Sequence, residues 1–287
     1  RHDQLGDLSA SFNSMTSSVQ SMLAEVGEKE RLARELELAR EIQRSLLPEA
    51  ALRLGPVTLF AAFRPATEVG GDYYDFLQLD PDRLAFVIAD VSGKGMPAAL
   101  LMSNLQASLH GQVLHPGDVS AVVERVNDLM VESTDPHMFA TFFYGLLDVR
   151  AATLTCTNAG HNPPLWYRAS QDQLDELTLT GLPLGIGAPF SPGDTALQQK
   201  TIYVRPGDVL VFYSDGITEA PDARGELYGL ERLADVDSPI NIVDQDVYTA
   251  SFNGRTASLA LESGQILWSQ DVSSYQGLAA DWTAVFV

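Results

Sequence analysis

The stretch LAFVIADVSGKG at residues 84–95 is the most informative part of the chain for its fold, because an apolar run leads into Asp90 and a glycine-rich loop follows. A run of this length and composition predicts a buried strand. A carboxylate at the end of such a strand is costly to bury unless a cation compensates its charge. The stretch therefore predicts a core strand that delivers Asp90 to a cation site.

Two further stretches repeat this pattern. GGDYYD at 70–75 places Asp72 after two glycines that permit a sharp turn, and VLVFYSDG at 209–216 places Asp215 after another apolar run. A single Asp-Gly at the end of a strand is more often a turn than a ligand. Three such carboxylates at the edges of core strands predict a shared site. Oxygen ligands without a His or Cys cluster favour Mg²⁺ or Mn²⁺ over Zn²⁺.

The pattern between residues 57 and 214 predicts an α+β fold. Short apolar runs broken by Gly, Pro and Asp are typical of strands, and longer amphipathic stretches predict helices. Strands and helices do not alternate regularly, which favours α+β over a doubly wound parallel sheet. The expected strands are 57–63, 73–79, 84–90, 139–148, 153–158 and 208–214, and the expected helices are 97–112 and 118–133.

The composition of the chain excludes some classes of binding partner and indicates a cellular compartment. The chain carries 38 acidic and 18 basic residues, for a formal net charge of -20. This balance argues against nucleic acid and against an anionic membrane surface as partners. The single cysteine, Cys156, excludes an internal disulfide, so we expect a reducing compartment, and its apolar surroundings predict a buried structural position. No apolar run approaches the ~20 residues of a membrane span.

A heptad pattern of apolar residues runs through the N-terminal segment. Strict heptad spacing places side chains on one stripe, which needs a partner helix. A second stripe follows after a phase shift near Gly27, and Pro48 predicts the end of the helix. Two interpretations remain open: a homodimeric coiled coil through residues 3–47, or a helix packed on its own domain. The first stripe consists of Leu5, Leu8, Phe12, Met15, Val19, Met22 and Val26, and the second of Leu32, Leu36, Ala39, Ile42 and Leu46.

Several sequence motifs together resemble the PPM-type protein serine/threonine phosphatases of the sporulation stage II protein E and sigma-factor regulator family. The resemblance covers residues 51–231 and implies a sandwich of two antiparallel sheets flanked by helices, with metals at one end. It also implies hydrolysis of phosphoserine or phosphothreonine on a small signalling protein, typically an anti-anti-sigma factor. The matching motifs are GGDYYD (70–75), ADVSGKG (89–95), MFATFFYG (138–145), NAGHNPP (158–164), PLGI (183–186) and YSDGITEA (213–220).

The same resemblance implies a set of metal ligands at positions of this sequence. It implies two Mn²⁺ or Mg²⁺ ions. Asp72, Asp90 and the backbone carbonyl of Val91 would hold one of them, and Asp90 and Asp215 would share in holding the other. Asp90 would therefore bridge the pair.

Two residues within these motifs each have two possible interpretations. Lys94 either contacts phosphate or is a solvated loop lysine. His161 either acts as a general acid or fixes its loop by side-chain hydrogen bonds. Neither is therefore predicted as a catalytic residue beyond the metal ligands.

The N-terminal segment resembles parts of membrane-linked signalling proteins. Residues 1–24 resemble the C-terminal half of a HAMP module, and residues 25–50 resemble the coiled-coil connector that precedes the phosphatase domain in membrane-linked family members. The resemblance implies a membrane-spanning sensor ahead of Arg1. We therefore expect the domain to lie at the cytoplasmic face of the inner membrane, tethered only through that missing part.

Residues 232–287 depart from the family pattern. The family continues into a strand that ends in Asp-Asp-x-Thr, whose first Asp is the last metal ligand, but the nearest match here is ADWT at 280–283, with Ala280 in the ligand position. The segment instead resembles one propeller blade of the pyrroloquinoline-quinone repeat type, similar to the outer-membrane β-barrel assembly lipoprotein B. NG at 253–254 and SG at 263–264 are hairpin signals. One blade cannot bury its own faces, so we expect an all-β segment joined to a truncated phosphatase domain.

Three functions follow from these observations. The leading one is a metal-dependent phosphatase acting on an anti-anti-sigma type phosphoprotein and regulated through the N-terminal helix. The second is an inactive signalling scaffold that binds a partner without turnover. The third is a fused fragment of a barrel-assembly lipoprotein. Because the last metal ligand is absent, we expect the activity of this chain to be weak or absent.

Overall fold

The computed structural model describes residues 4–65, 68–115, 118–135, 137–186 and 197–219, and beyond these only short strands between residues 241 and 286. Within the first helix, side chains are described from Phe12 onward. The chain divides into two compact units, Arg1–Leu46 and Leu47–Val287, and each is described by itself.

The first unit is a single helix, α1 (Gln4–Leu46), which ends before Pro48 as the sequence predicts. The first heptad stripe is solvent-exposed from Phe12 to Val26, at 48% for Val19 and 62% for Met22. The side chains of Leu5 and Leu8 lie outside the described residues. In the second stripe, Leu32 and Ile42 are exposed, whereas Leu36, Ala39 and Leu46 are half-buried.

No helix in the described part of the chain is both long enough and apolar enough to cross a membrane.

The second unit is built around a five-stranded antiparallel sheet with the order β3-β4-β5-β6-β9. Its two longest strands pair along their whole length, from Arg83 opposite Asp148 to Val91 opposite Ala140. This long pairing makes the centre of the sheet the most regular part of the unit. The strands are β3 (Tyr73–Gln78), β4 (Arg83–Val91), β5 (Ala140–Asp148), β6 (Thr153–Ala159) and β9 (Gln199–Tyr203), and a hairpin of β1 (Ala51–Leu54) and β2 (Val57–Phe60) precedes them.

Two helices, α2 (Met96–Val113) and α3 (Val119–Ser133), cover one face of this sheet. Strand alternation turns every second side chain of the sheet toward them, because successive side chains of a strand point to opposite faces. Asp118 caps α3 by accepting a hydrogen bond from the Ala121 backbone N–H at 2.8 Å. The buried residues of this core include Tyr73, Ala85, Val87, Ala89, Leu105, Leu109, Val123, Val126, Phe142 and Tyr144.

The opposite face of the sheet packs against a small antiparallel sheet with the order β10-β7-β8. The rings of Phe86 and Phe143, from the large sheet, lie 4.9 and 5.2 Å from the ring of Phe212, which directly follows β10. This aromatic contact joins the two layers of the sandwich. The strands are β7 (Leu165–Arg168), β8 (Gln173–Glu176) and β10 (Val209–Val211), and a short helix, α4 (Asp215–Thr218), follows.

Beyond residue 240 the described backbone is entirely β. Four strands form an antiparallel meander with the order β11-β12-β13-β14, and two short strands form a separate pair. The pairings β12–β13 and β13–β14 flank both predicted hairpin turns, whose residues lie outside the described part. The strands are β11 (Asn241–Val243), β12 (Asp246–Ser251), β13 (Arg255–Ala260), β14 (Ile266–Gln270), β15 (Ala279–Ala280) and β16 (Val285–Phe286).

The structure matches the predicted α+β class and corrects several element bounds. The strand expected at 208–214 is limited to Val209–Val211, and Asp215 begins a short helix instead of following a strand directly. Cys156 is a free thiol and fully buried, as predicted, and its burial raises the pKa of the thiol to about 12. The sequence patterns predicted no strand at the positions of β1, β7, β8 and β9.

Candidate metal centre

Asp90 lies at the end of β4, on the strand that the apolar run predicts. Its register partner on β5 is Thr141, and Ala89 pairs with Tyr73 on β3. Because β3 starts where the antiparallel strand β4 ends, Asp72, the residue before β3, lies beside Asp90. Two separate sequence motifs thus deliver carboxylates to one corner of the sheet.

Gly71 explains why the chain can pass so close to this corner. A Cβ atom placed on Gly71 would lie 2.6 Å from the carbonyl oxygen of Val91. Only glycine permits this approach, since any side chain would overlap that oxygen. The Val91 carbonyl therefore lies against Gly71, the residue before Asp72.

Asp215 approaches from the other layer of the sandwich. It is the first residue of α4, and Ser214 before it donates a hydrogen bond to Asp72. The structure thus brings Asp72, Asp90 and Asp215 within electrostatic range of one another. All three sequence-predicted carboxylates belong to one cluster.

Mutual repulsion and burial both destabilise the ionised form of the carboxylates in this cluster. Burial raises the pKa of Asp90 to about 6, and the Asp72 and Asp215 carboxylates add to the effect. Burial also raises the pKa of Asp72, opposed by the Ser214 hydrogen bond and assisted by the charge of Asp215. Raised carboxyl pKa values in a cluster of like charges indicate that a cation would bind favourably there.

The donor set fits Mn²⁺ or Mg²⁺. The charged neighbours that shift the pKa values of Asp72 and Asp90 are the other carboxylates of the cluster, and no cation is among them. Among the described residues, no three His, Cys, Asp or Glu side chains lie close enough together to form a metal-holding group, so the three carboxylates are not in a closed ligand geometry. An open site suits Mg²⁺-like ions, which bind through one or two carboxylates and retain several waters.

His161 lies beneath the cluster instead of lining its surface. Its ring is only 6% exposed, and Nδ1 lies 2.8 Å from Thr141 Oγ1. Its backbone exchanges two hydrogen bonds with the side chain of Asn158, at 2.7 and 2.8 Å. Burial lowers the pKa of His161 to about 4, although the Tyr213 backbone and the Asp215 charge both favour its protonated form. These contacts favour the loop-fixing interpretation over a general acid.

Lys94 lies in the loop between β4 and α2 and is exposed. Gly93 and Gly95 on either side have φ angles of 100° and 69°, which only glycine adopts readily. The loop therefore presents Lys94 to solvent next to the end of β4. Both interpretations of this residue, phosphate contact and solvated lysine, stay open.

Sequence reasoning missed two residues of the site, Ser214 and Thr141. Ser214 directly precedes a predicted ligand, and a hydroxyl in that position of a turn could have been recognised as a carboxylate partner. Thr141 could not have been found from the sequence, because its role depends on the β4–β5 register that places it opposite Asp90.

The chain is similar in sequence to a known protein family. The family described as stage II sporulation protein E (SpoIIE) matches residues 80–247, more than half of the chain. The chain belongs to the SpoIIE family. The match begins before β4 and continues into the segment that resembles a propeller blade. Residues 232–247 therefore lie both in the SpoIIE match and in the propeller-like segment.

Two curated relatives illustrate how far the similarity to SpoIIE-family proteins extends. Phosphoserine phosphatase RsbU of Bacillus subtilis is 32% identical over 209 residues, which are 70% of this chain and 58% of RsbU. Protein IcfG of Synechocystis is 29% identical over an aligned length of 301 positions, and the alignment covers 95% of this chain and 45% of IcfG. The chain spans about half the length of these relatives.

A solved structure and a third relative complete the comparison. The SiaA-PP2C domain of Pseudomonas aeruginosa superimposes with a TM-score of 0.61 at 21% identity, covering 72% of this chain and 82% of that domain. This likeness shows the fold, which is that of a PP2C-type phosphatase domain. Outer membrane protein assembly factor BamB of Pseudomonas aeruginosa is 32% identical over 107 residues, which are 36% of this chain and 27% of BamB. The C-terminal part of this SpoIIE-family chain thus has a relative outside the family.

Proposed function

We propose that the domain hydrolyses phosphoserine or phosphothreonine on a signalling protein of the anti-anti-sigma type, using two Mn²⁺ or Mg²⁺ ions. The observation that carries the proposal is the convergence of Asp72, Asp90 and Asp215, whose mutual repulsion contributes to the raised pKa values of Asp72 and Asp90. The name of RsbU, a phosphoserine phosphatase, supports the substrate class.

The residues of the cluster would each hold one or both of the two ions. Asp72, Asp90 and the Val91 carbonyl would hold one ion, and Asp90 and Asp215 the other. The ions would orient and activate a water for attack on phosphorus and screen the phosphate charge. Asp90 suits a bridging position because its strand is paired on both sides, which fixes its backbone. Lys94, exposed in the loop that follows β4, would be in a position to contact the substrate phosphate.

Phosphate release from a phosphoserine-bearing anti-anti-sigma protein tests this proposal. We expect release with Mn²⁺ or Mg²⁺ at high chain concentration, none with EDTA, and none from a phosphotyrosine peptide. High chain concentration matters because we expect slow turnover. Release that persists in EDTA would contradict the proposal.

The C-terminal segment supplies the reason for slow turnover. We propose that residues 232–287 form one propeller-like blade joined to a phosphatase domain that lacks its natural ending. The match to BamB and the four-stranded meander of β11 to β14 support this proposal. Asp281, the carboxylate nearest to the family's last ligand position, lies outside the described residues. A chain without that ligand would leave the ion at Asp90 and Asp215 weakly held.

An inactive signalling scaffold is the second candidate function. The observation in its favour is Ala280 at the position where the family pattern places a carboxylate. In this case the domain would bind its phosphoprotein without turnover. Binding without phosphate release, at any metal concentration, would favour the scaffold over the enzyme.

We further propose that α1 joins two copies of the chain in a parallel coiled coil and passes a signal to the phosphatase domain. The exposed stripe from Phe12 to Val26 supports this proposal, because a stripe of large apolar side chains on a soluble helix is costly to leave in water. The HAMP-like residues 1–24 would connect it to a sensor at the inner membrane.

Light scattering tests the coiled coil. At tens of micromolar we expect the full chain to be dimeric and a chain that starts at Pro48 to be monomeric. Val19→Glu should convert the full chain to monomers, because it places two charges in the seam. Gln20→Glu adds the same charge beside the seam and should leave the dimer intact. A monomeric full chain would exclude the coiled coil.

A further inference from the structure

The loop that carries His161 is held rigidly in place. Asn158 closes it with two hydrogen bonds to the His161 backbone, at 2.7 and 2.8 Å. Gly160 has a φ of 73°, and a Cβ atom there would lie 2.6 Å from the ring of Pro183. The imidazole therefore has a fixed position, which is the first requirement for a residue that orients others.

One edge of the His161 ring connects to the strand end that carries Asp90. Nδ1 lies 2.8 Å from Thr141 Oγ1, and the same hydroxyl lies 3.4 Å from the Asp90 backbone carbonyl. Thr141 is also the register partner of Asp90 across β4 and β5. The ring is thus linked through one hydroxyl to the backbone of the predicted bridging ligand.

The other edge of the ring faces the turn that carries Asp215. The Tyr213 backbone and the Asp215 carboxylate both interact with the imidazole, and Nε2 is buried without a hydrogen bond of good geometry to any described residue. In the part of the chain that is described, this turn is also supported by the Ser214 hydrogen bond to Asp72 and by the packing of Phe212 against the large sheet, but the strand that leads into it is short. The strand before it, β10, has three residues and pairs only with β7.

We propose that His161 is a positioning residue that sets the separation of Asp215 from Asp90, and thereby the geometry of the second metal ion. The ring lies between the two segments that carry these ligands, which come from different layers of the sandwich. A small imidazole fills the gap and prevents the turn from shifting toward β5. Metal sites need their ligands held within about 0.5 Å of the productive geometry, so this spacing matters for affinity.

The inference rests on the proposed metal site but not on turnover, so metal binding is the appropriate test. Mn²⁺ titrations followed by electron paramagnetic resonance report binding without substrate. We expect His161→Ala to weaken Mn²⁺ binding about 10- to 100-fold, the range seen when a residue that orients ligands is lost. His115→Ala, at an exposed histidine after α2, should bind Mn²⁺ as the wild type does.

Two conservative variants separate the contacts of the ring. His161→Asn places an amide near the position of Nδ1 and can keep the Thr141 contact. His161→Gln places an amide near the position of Nε2 and can keep the contact with the Tyr213 backbone. If the ring acts as a spacer between the segments, His161→Gln should bind Mn²⁺ more tightly than His161→Ala. Equal binding by these two variants would overturn the proposal.

Thr141→Val keeps the test valid if the His161 variants do not fold. Valine has the shape of threonine but lacks the hydroxyl that joins His161 to Asp90. We expect weaker Mn²⁺ binding with an unchanged far-ultraviolet circular dichroism spectrum. Wild-type Mn²⁺ affinity in a folded His161→Ala or Thr141→Val chain would overturn the proposal. Asp90-dependent Mn²⁺ binding without any phosphate release would instead remove the proposed function and leave this inference standing.

Discussion

Asp90→Asn is expected to lower Mn²⁺-dependent phosphate release by about two to three orders of magnitude in any form of the chain that has activity. Asp90 is the only carboxylate that the proposed arrangement shares between both ions. Loss of its charge therefore weakens both ions at once, whereas loss of Asp72 or Asp215 weakens one. The measurement is phosphate release from a phosphoserine protein at saturating Mn²⁺.

A matched substitution controls for the change of charge. Asp128 is exposed on α3, away from the cluster, and Asp128→Asn removes the same negative charge. We expect this variant to release phosphate at the wild-type rate. Equal rates for Asp90→Asn and Asp128→Asn would remove Asp90 from the catalytic site.

Stability of the metal-free chain provides a second control. Burial and the neighbouring carboxylates raise the pKa of Asp90 to about 6 in the folded chain. A raised carboxyl pKa favours the folded state while the group is protonated, and this contribution is lost as the pH rises through 6. At pH 7.5 without metal we therefore expect Asp90→Asn to unfold at a higher temperature than the wild type. The difference should vanish below about pH 4, and added Mn²⁺ should stabilise the wild type more than the variant.

Replacement of residues 232–287 by a family-type ending that carries Asp-Asp-x-Thr is expected to raise Mn²⁺-dependent activity by about 100-fold or more. The physical reason is the missing ligand at the ion shared by Asp90 and Asp215. In the present chain Ala280 takes that position in the alignment, and an alanine side chain supplies no oxygen. The nearest carboxylate, Asp281, is one residue further along in that alignment.

The graft needs a control that has the same fold and length. A graft with Asn in place of the first Asp of Asp-Asp-x-Thr provides it, because it restores the strand but not the charge. We expect this control to remain as weak as the present chain. If the present chain already releases phosphate as fast as the complete graft, then residues 232–287 are a working part of the domain.

The sequence was sufficient to predict the parts of the site that depend on local pattern. The apolar run before Asp90 predicted its strand, and the glycines before Asp72 predicted a sharp turn. The structure adds that Gly71 lies close to the Val91 carbonyl oxygen. These features follow from strand periodicity and from backbone sterics, both of which act over a few residues.

Features that depend on pairing between residues far apart in the chain could not be predicted from the sequence. The turn at Ser214 and Asp215 begins a helix because β10 ends early at Val211, and no local signal marked that end. The position of His161 beneath the cluster depends on the register of β5 and β6 and on the packing of the small sheet. The sequence therefore left its role open between general acid and loop contact, whereas the 2.8 Å contact with Thr141 favours the second.

Direct measurement of Mn²⁺ binding to the present chain tests the central claim, that three carboxylates from separate elements form a metal site. Titration by isothermal calorimetry, without substrate, compares the wild type with Asp72→Asn, Asp90→Asn and the control Asp128→Asn. We predict saturable Mn²⁺ binding by the wild type and the control, weaker binding by Asp72→Asn, and no measurable binding by Asp90→Asn. Equal Mn²⁺ binding by all four chains would contradict the account, because the metal would then lie elsewhere.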